Sequence, residues 1–266
     1  MDGPSKVTSV QNGMVKHARS LMVPKKLKES EDFLCEGFHL VEEALKAGLK
    51  LRFILASASA MRKPEAVSLE DRASRAKVRW VSATDAVLQY LSDTPAPQGL
   101  AAVVKKPETR WPNEPVGHVL AVHGVQDPGN LGSLLRTAEA ASCDGIILTE
   151  GCCDPFNPKA VRASMGSLFR LPFVSGVPWR EAQEWLAARG AVNTALVPRD
   201  GDDITRLAVK PRAFWVGAEG EGLPLELVNS SPEKASIPMG GEVESLNVGT
   251  AAAIALYYKG FRGPVP

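Results

Sequence analysis

Residues 125–141 read Val-Gln-Asp-Pro-Gly-Asn-Leu-Gly-Ser-Leu-Leu-Arg-Thr-Ala-Glu-Ala-Ala, the pattern of a strand end, a tight turn and a helix. The apolar run His118–Val122 supplies the buried strand before them. Asp127-Pro128-Gly129 turns the chain, and Asn130 stands where a helix N-cap is favoured. Leu131, Leu134, Leu135, Ala138 and Ala141 recur at helical spacing and mark one buried face. Arg136 falls about 200° around the helix from Leu134, at roughly 100° per residue, which groups it with Ser133 and Ala140 on the opposite face. An amide at the turn and a cation in the helix are thereby offered to one strand-end crevice, the place where open α/β sheets bind ligands.

On this stretch alone, Asn130 reads equally well as a cap and Arg136 as a solvated helix residue. Gly129 and Gly132 do not make the GxGxxG dinucleotide fingerprint, and no Walker pattern occurs. Two further glycine-rich turns shift the balance. Gly217-Ala218-Glu219-Gly220-Glu221-Gly222-Leu223 follows the strand Ala213–Val216, and its glycines let backbone approach a ligand closely. The segment from Ile237-Pro238-Met239 through Ser245-Leu246-Asn247 joins a strand to the last helix. Such loops are common as turns. Three at the same end of one sheet, interleaved with Asn130, Arg136, Glu219, Ser245 and Asn247, point to a binding site.

The 266 residues suit two modest domains, and 44% hydrophobic with 23% charged residues is ordinary for a soluble globular protein. No apolar run is long enough to span a bilayer. The first six residues show neither a signal-peptide core nor an Arg-rich transit pattern, so the chain is expected to be mature and cytoplasmic. Cys35, Cys143, Cys152 and Cys153 lack zinc-ligand spacing and do not cluster with the histidines; reduced thiols and no metal are expected. A net charge of +1 decides nothing about partners. The N-terminal third does carry basic groups, Lys16, His17 and Arg19, then Lys25, Lys26 and Lys28, then Arg72, Arg75, Lys77 and Arg79. These either track phosphates or form solvated faces.

In order along the chain, Phe33–Gly48 reads as an amphipathic helix with Leu34, Phe38, Val41 and Leu45 in one stripe. Leu51–Leu55, Val78–Val81 and Gly99–Val104 read as strands, with helices at Pro64–Ala76 and Ser82–Leu91. Lys105–Pro115 is proline-rich and poor in apolar residues, which marks a linker. Beyond it, strands His118–Val122, Gly145–Leu148, Ala191–Val197, Ala213–Val216 and Lys234–Ile237 alternate with helices at Asn130–Ser142, Lys159–Met165, Trp179–Arg189, Leu223–Val228 and Asn247–Tyr258. Glu150–Pro158 reads as irregular. This alternation predicts a mostly parallel sheet covered on both faces, and by pattern alone an ordinary doubly wound one.

Asn130-Leu131-Gly132 with Arg136, Gly217-x-Glu219-x-x-Gly222-Leu223, and Ile237-Pro238-Met239 with Ser245-Leu246-Asn247 resemble the three motifs of the SpoU/TrmH-type RNA 2′-O-ribose methyltransferases of the SPOUT class. Lys159, Arg162, Ser164 and Gly166 resemble a further Lys-x-x-Arg-x-Ser-x-Gly element of that family. Phe33-Leu34-Cys35-Glu36-Gly37 and Pro97-Gln98-Gly99-Leu100-Ala101 resemble its ribosomal-protein-like substrate domain, so the likeness covers nearly the whole chain. One departure is visible: the second motif usually reads Gly-Asn-Glu, and Ala218 replaces the Asn.

The resemblance implies an α/β chain with an RNA substrate-binding domain over residues 1–106, a linker at 107–115, and a methyltransferase domain with a trefoil knot over 116–266. It implies S-adenosylmethionine as cofactor, held near Gly217, Ile237 and Leu246 with Val197 and Met239. It implies a homodimer acting on structured RNA, ribosomal in preference to transfer RNA, with no membrane and no metal involved. Arg136, Asn130, Glu219, Ser245 and Asn247 are its implied catalytic-site residues. A guanidinium does not deprotonate in proteins, so Arg136 suits an electrostatic and orienting role. Asn130 would hold Arg136 or the ribose, and Glu219 would neutralise Arg136 or its surroundings, or form a structural ion pair. Ser245 and Asn247 either cap the last helix or shape the site. The other readings are a non-catalytic RNA-binding relative, which the retained motif residues oppose, and a Rossmann-type small-molecule enzyme, which lacks its GxGxxG.

Overall fold

The computed structural model describes residues 6–114, 116–241 and 243–259. The extreme N-terminus read above for targeting signals, Pro115 of the linker and Glu242 of the third glycine-rich loop lie outside them. The chain divides into two compact units: one comprises the chain up to Pro107 together with Phe156–Phe169, the other Glu108–Pro155 and the chain from Arg170 onward.

The first unit contains α1 (Gly13–Ser20), α2 (Pro24–Glu29), β1 (Asp32–Glu36), α3 (Phe38–Lys46), β2 (Leu51–Ser57), α4 (Pro64–Arg75), β3 (Trp80–Ala83), α5 (Asp85–Tyr90) and β4 (Leu100–Lys105). Its sheet runs β1-β4-β2-β3, with β2 and β3 parallel and the other pairs antiparallel. The helix expected over Phe33–Gly48 is corrected here: its first residues form β1, and the helix starts only at Phe38. Phe33, Leu34 and Cys35 are consecutive and all buried, which a strand covered on both faces achieves and an amphipathic helix does not. The cover on β1 comes from far along the chain. Phe156 and Phe169 set their rings 5.0 and 5.8 Å from that of Phe33. Between them Arg162 pairs with Asp93 at 2.7 Å and reaches Glu36 at 3.5 Å.

The second unit contains β5 (His118–Val122), α6 (Pro128–Ala140) and β6 (Gly145–Thr149). After α7 (Pro158–Ser164), which belongs to the first unit, it continues with β7 (Phe173–Val177), α8 (Trp179–Ala187), β8 (Val192–Leu196), β9 (Asp202–Asp203), β10 (Arg212–Val216), α9 (Leu225–Ser230), β11 (Glu233–Ser236) and α10 (Val248–Lys259). Strand β7 was not anticipated, because Gly176 interrupts its apolar alternation. Every pairing in the order β7-β6-β5-β10-β8-β11-β9 is parallel. Val119, Ala121, Ile147, Ala213 and Trp215 pack on one face against Ala182 and Leu186 of α8 and Leu227 of α9. The alternate residues Leu120, Val122, Ile146, Leu148, Phe214 and Val216 are also buried and face the other way. There α6 lies on β6, α10 on β10, and the two helices on each other.

Strands β5, β10, β8 and β11 are lateral neighbours, so the loops leaving their C-terminal ends meet at one edge. The opposite edge holds an ion pair. Arg212 opens β10 with a fully buried side chain, donates to Thr194 Oγ1 at 2.6 Å and to Ala208 O at 3.0 Å, and pairs with Glu233 at the start of β11. Lys210 reaches the same carboxylate at 2.6 Å.

Removing the carboxylate in Glu233→Gln leaves a buried guanidinium short of its counter-charge. The expected loss of unfolding free energy is about 2–4 kcal/mol, read by urea denaturation. Burial raises the Glu233 carboxyl, but hydrogen bonds and charge from Lys210 and Arg212 outweigh it and hold the group below its ordinary value of 4.5. A carboxyl depressed in the folded state stabilises fully above its unfolded pKa and ceases to do so as pH falls through the folded one. The wild-type urea midpoint should therefore drop below pH 4.5, and that drop should be shallower in Glu233→Gln.

Candidate functional site

At the ends of β8, β10 and β11 the second unit encloses a cavity of about 490 Å³. Val197, Gly217, Ile237, Met239 and Leu246 all line it, so the five residues expected to hold a cofactor share one space. Leu196, Val228 and Ala251 add apolar wall that no sequence motif marks. They are reached only once β8 is known to lie between β10 and β11. Glu219, Ser245 and Asn247 line the same cavity, giving it a polar rim with an acidic component.

Gly217 is required by space. A Cβ there would stand 2.1 Å from the carbonyl carbon of Gly222 and 2.4 Å from Leu223 N, so the chain folds back on its own backbone. Gly222 N–H donates to Ala218 O at 2.9 Å, which closes the loop. The closure is made by main chain and does not depend on the side chain of Ala218.

Helix α6 starts earlier than the sequence suggested, and this corrects the reading of Asn130 as N-cap. Asp127 is the cap, its Oδ1 accepting from Asn130 N–H at 2.9 Å, with Pro128 in the first helical position. Asn130 therefore sits inside the first turn with its side chain free for another use. That use is Asn247, whose Nδ2 donates to Asn130 Oδ1 at 3.2 Å and to Glu219 Oε1 at 2.8 Å. The other end of the same amide caps α10: Asn247 Oδ1 accepts from Gly249 N–H at 3.0 Å and Thr250 N–H at 3.3 Å. Capping and site-shaping were alternatives in the sequence; Asn247 does both.

Arg136 lies about 1.7 turns along α6 from Asn130, about 9 Å at 1.5 Å per residue. It is exposed and makes no hydrogen bond or ion pair with another described residue. Among the described residues no ion pair joins Glu219 to Arg136; that carboxylate accepts from Asn247. Ser133, one turn before Arg136, lies against α10, with its Oγ 3.2 Å from where a Cβ on Gly249 would stand. Glu219, Ser245 and Asn247 thus line the cavity, Asn130 is tied to it through Asn247, and Arg136 is exposed further along α6. His123, which the sequence did not single out, follows β5, and its backbone N–H donates to Val216 O at 2.9 Å. Its Nδ1 lies 2.8 Å from Thr149 Oγ1, and that hydroxyl also lies 3.2 Å from Val122 O. Burial lowers the His123 pKa, opposed in part by Glu150. Among the described residues no group of three or more His, Cys, Asp or Glu comes together as a metal site.

Comparison with known proteins gives the following. Residues 117–257 match the SpoU rRNA Methylase family, and residues 12–102 match the MRM3-like substrate binding domain. The chain is 33% identical to the 23S rRNA (guanosine(2553)-2′-O)-methyltransferase RlmP of Bacillus subtilis, over 95% of this chain and 98% of that protein. Among solved structures it resembles an AdoMet-bound rRNA methyltransferase from Sinorhizobium meliloti, with a TM-score of 0.83 and 28% identity over 96% of this chain and 97% of that one. It resembles to a similar degree the SpoU methyltransferase AviRb from Streptomyces viridochromogenes in complex with AdoMet, with a TM-score of 0.83 and 27% identity over 94% and 97%.

The two uses of Asn247 separate by substitution. Asn247→Ala loses both and should cost about 1 kcal/mol as a missing cap. Asn247→Asp keeps an acceptor for the α10 amides but sets a like charge beside Glu219. Hydrogen exchange should find Gly249 and Thr250 protected in the Asp variant and opened in the Ala variant. Equal protection in both would remove the cap from this account.

Proposed function

The chain belongs to the SpoU rRNA methylase family, and from that premise we propose that it methylates a ribose 2′-hydroxyl of ribosomal RNA with S-adenosylmethionine. The observation that carries this is the cavity at the strand ends. Its size suits a ligand of that class, for which about 300–1,000 Å³ is typical. Its apolar walls suit an adenine ring, and the backbone around Gly217, where a side chain has no room, offers main-chain donors and acceptors to the ring edge. The Glu219 carboxylate on the rim suits a cationic methyl donor.

When bound, the cofactor's sulfonium supplies an activated methyl group. The work left to this chain is to place the 2′-hydroxyl in line and favour its oxygen as the proton departs. Arg136 supplies a guanidinium, a cation that only donates hydrogen bonds. It orients the RNA and stabilises the negative charge growing on the 2′-oxygen. Asn130 is held by Asn247, a residue of the cavity lining, and helps to orient the ribose. Glu219, also held by Asn247, keeps its carboxylate on the cavity side.

Further parts of the reading have their own support. The division into a substrate domain over 1–106, a linker at 107–115 and a catalytic domain over 116–266 is supported by the two matched family segments, with the exception that Phe156–Phe169 pack with the first unit. The family resemblance implies a trefoil knot and a homodimer; the dimer is supported also by Tyr257 and Tyr258 of the Ala-rich helix α10, which are 49% and 55% exposed. A cytoplasmic location is supported by the free state of all four cysteines.

Pairing also sorts the basic groups. Arg72 reaches Glu42 at 3.8 Å and Arg75 pairs with Asp71 at 2.7 Å, whereas Lys16, Lys25, Lys26 and Lys28 are exposed with no partner among the described residues. Replacing Lys25, Lys26 and Lys28 by Ser should flatten the salt dependence of RNA binding by a slope of about 2, at roughly 0.7–0.9 per phosphate contact. Replacing Arg72 and Arg75 should change it less.

Two variants split binding from chemistry. Arg136→Ala should lose methyl transfer by at least 100-fold, the order expected for one electrostatic group, with S-adenosylmethionine affinity near wild type. Gly217→Ala should instead abolish cofactor binding, measured by calorimetry. An active Arg136→Ala enzyme would take Arg136 out of the mechanism.

A further inference from the structure

The two sequence segments Phe33–Gly37 and Pro97–Ala101 take no part in the cavity, yet the first unit brings them together. Gly37 N–H donates to Leu100 O at 2.8 Å, and Phe38 N–H donates to Gln98 Oε1 at 2.9 Å. Gly37 has φ of +90°, and a Cβ there would stand 2.9 Å from the same Gln98 oxygen, so the turn is shaped around that side chain. Beside it opens a cleft of about 380 Å³, with Phe38, His39, Glu42, Lys63, Glu65 and Gln98 in its lining.

The cleft holds polar groups of both kinds. Lys63 Nζ is fixed at 5.4 Å from the Phe38 ring centre and donates to Gln98 O at 3.3 Å. Gln98 has its acceptor engaged by Phe38, which leaves its Nε2 as a donor with no partner among the described residues. Glu42 is tied to Lys46 at 3.1 Å and to Arg72 at 3.8 Å. The Glu65 carboxylate is exposed and has no partner among the described residues. With Glu42 offset by Lys46 and Arg72, the Glu65 carboxylate disfavours a phosphodiester, which carries negative charge and offers acceptors alone. The edge of an unpaired base offers N–H donors beside ring and carbonyl acceptors, and RNA is read by sequence chiefly through such splayed-out bases.

We infer that this cleft receives an unstacked base of the RNA substrate. Glu65 accepts from the base's N–H groups, while Lys63 and Gln98 Nε2 donate to its acceptors. The inference rests on the proposed function in one respect, that the ligand is RNA; it adds where in the first unit a base is read.

The test uses the full chain, ribosomal RNA transcribed in vitro without modification, and S-adenosylmethionine carrying a labelled methyl group. Lys63→Ala and Glu65→Ala each remove one exposed side chain outside the core. Each should raise the RNA Kd and KM roughly tenfold, the scale of one well-placed base contact, with kcat and cofactor Kd unchanged. The sign for Glu65→Ala is decisive. A base edge loses an acceptor and binds more weakly, whereas a phosphate would lose a repelling charge and bind more tightly. Tighter or unchanged binding in Glu65→Ala, with wild-type protein active, overturns the cleft and leaves the proposed function standing. Wild-type protein that binds S-adenosylmethionine but neither binds nor methylates any ribosomal RNA overturns both.

Discussion

One amide holds the candidate site together. Asn247 turns its oxygen to the first amides of α10 and its nitrogen to Asn130 and Glu219, so a single side chain joins the turns that follow β5, β10 and β11. Each bond is exposed or half-buried and contributes only about 1 kcal/mol. The bonds therefore select among arrangements that the backbone already permits; they do not create the site. What brings the turns within reach of one amide is the strand order. With β5, β10, β8 and β11 adjacent and parallel, segments more than a hundred residues apart in sequence leave the sheet at the same edge.

The same strands divide stability from function along their length. Strand β10 opens with Arg212, sealed against Thr194 and Glu233, and ends at Gly217, where no side chain fits. Strand β11 opens at Glu233 in that ion pair and runs out into Ile237 and Met239 of the cavity wall. Between the ends, Phe214 and Trp215 are fully buried on opposite faces. A rigid middle and a fixed far end allow the near end to carry backbone that is open, polar and glycine-rich, at some cost in local stability.

Much of this was legible in the sequence because the informative signals are local. The apolar run His118–Val122, the spacing of Leu131, Leu134, Leu135 and Ala138, and the glycine spacing after Val216 each depend on neighbours a few residues away. The failures came where a local pattern had two physical solutions. Asn130 and Asp127 are both good caps, and the turn at Pro128-Gly129 decided for Asp127, which freed Asn130 for Asn247. Phe33–Gly48 satisfied a helical stripe, but three consecutive buried residues need cover on two sides, and Phe156 and Phe169 supply it from beyond the linker. Composition could not reveal that residues 156–169 complete the first unit. Nor could charge spacing tell Arg72 and Arg75, which have partners, from Lys25, Lys26 and Lys28, for which none is described.

The contrast between Glu219 and Arg136 bears on how such a site acts on a macromolecule. Glu219 is anchored by Asn247, whereas Arg136 is exposed to water with no anchor among the described residues. A guanidinium in water is screened: two unit charges 4 Å apart interact by about 1 kcal/mol there, and by about 4 kcal/mol at the effective dielectric near a protein surface. Read as the catalytic cation, Arg136 reaches useful strength only when something covers it. A ribose and phosphate docking over α6 would do so, excluding water from the guanidinium and from the hydroxyl at the same moment. An enzyme for a small substrate builds that dry environment from its own walls. One for a folded RNA can leave its cation in solvent, because the correct substrate is large enough to bury it, and a wrong one that fails to seat would meet a screened and ineffective charge.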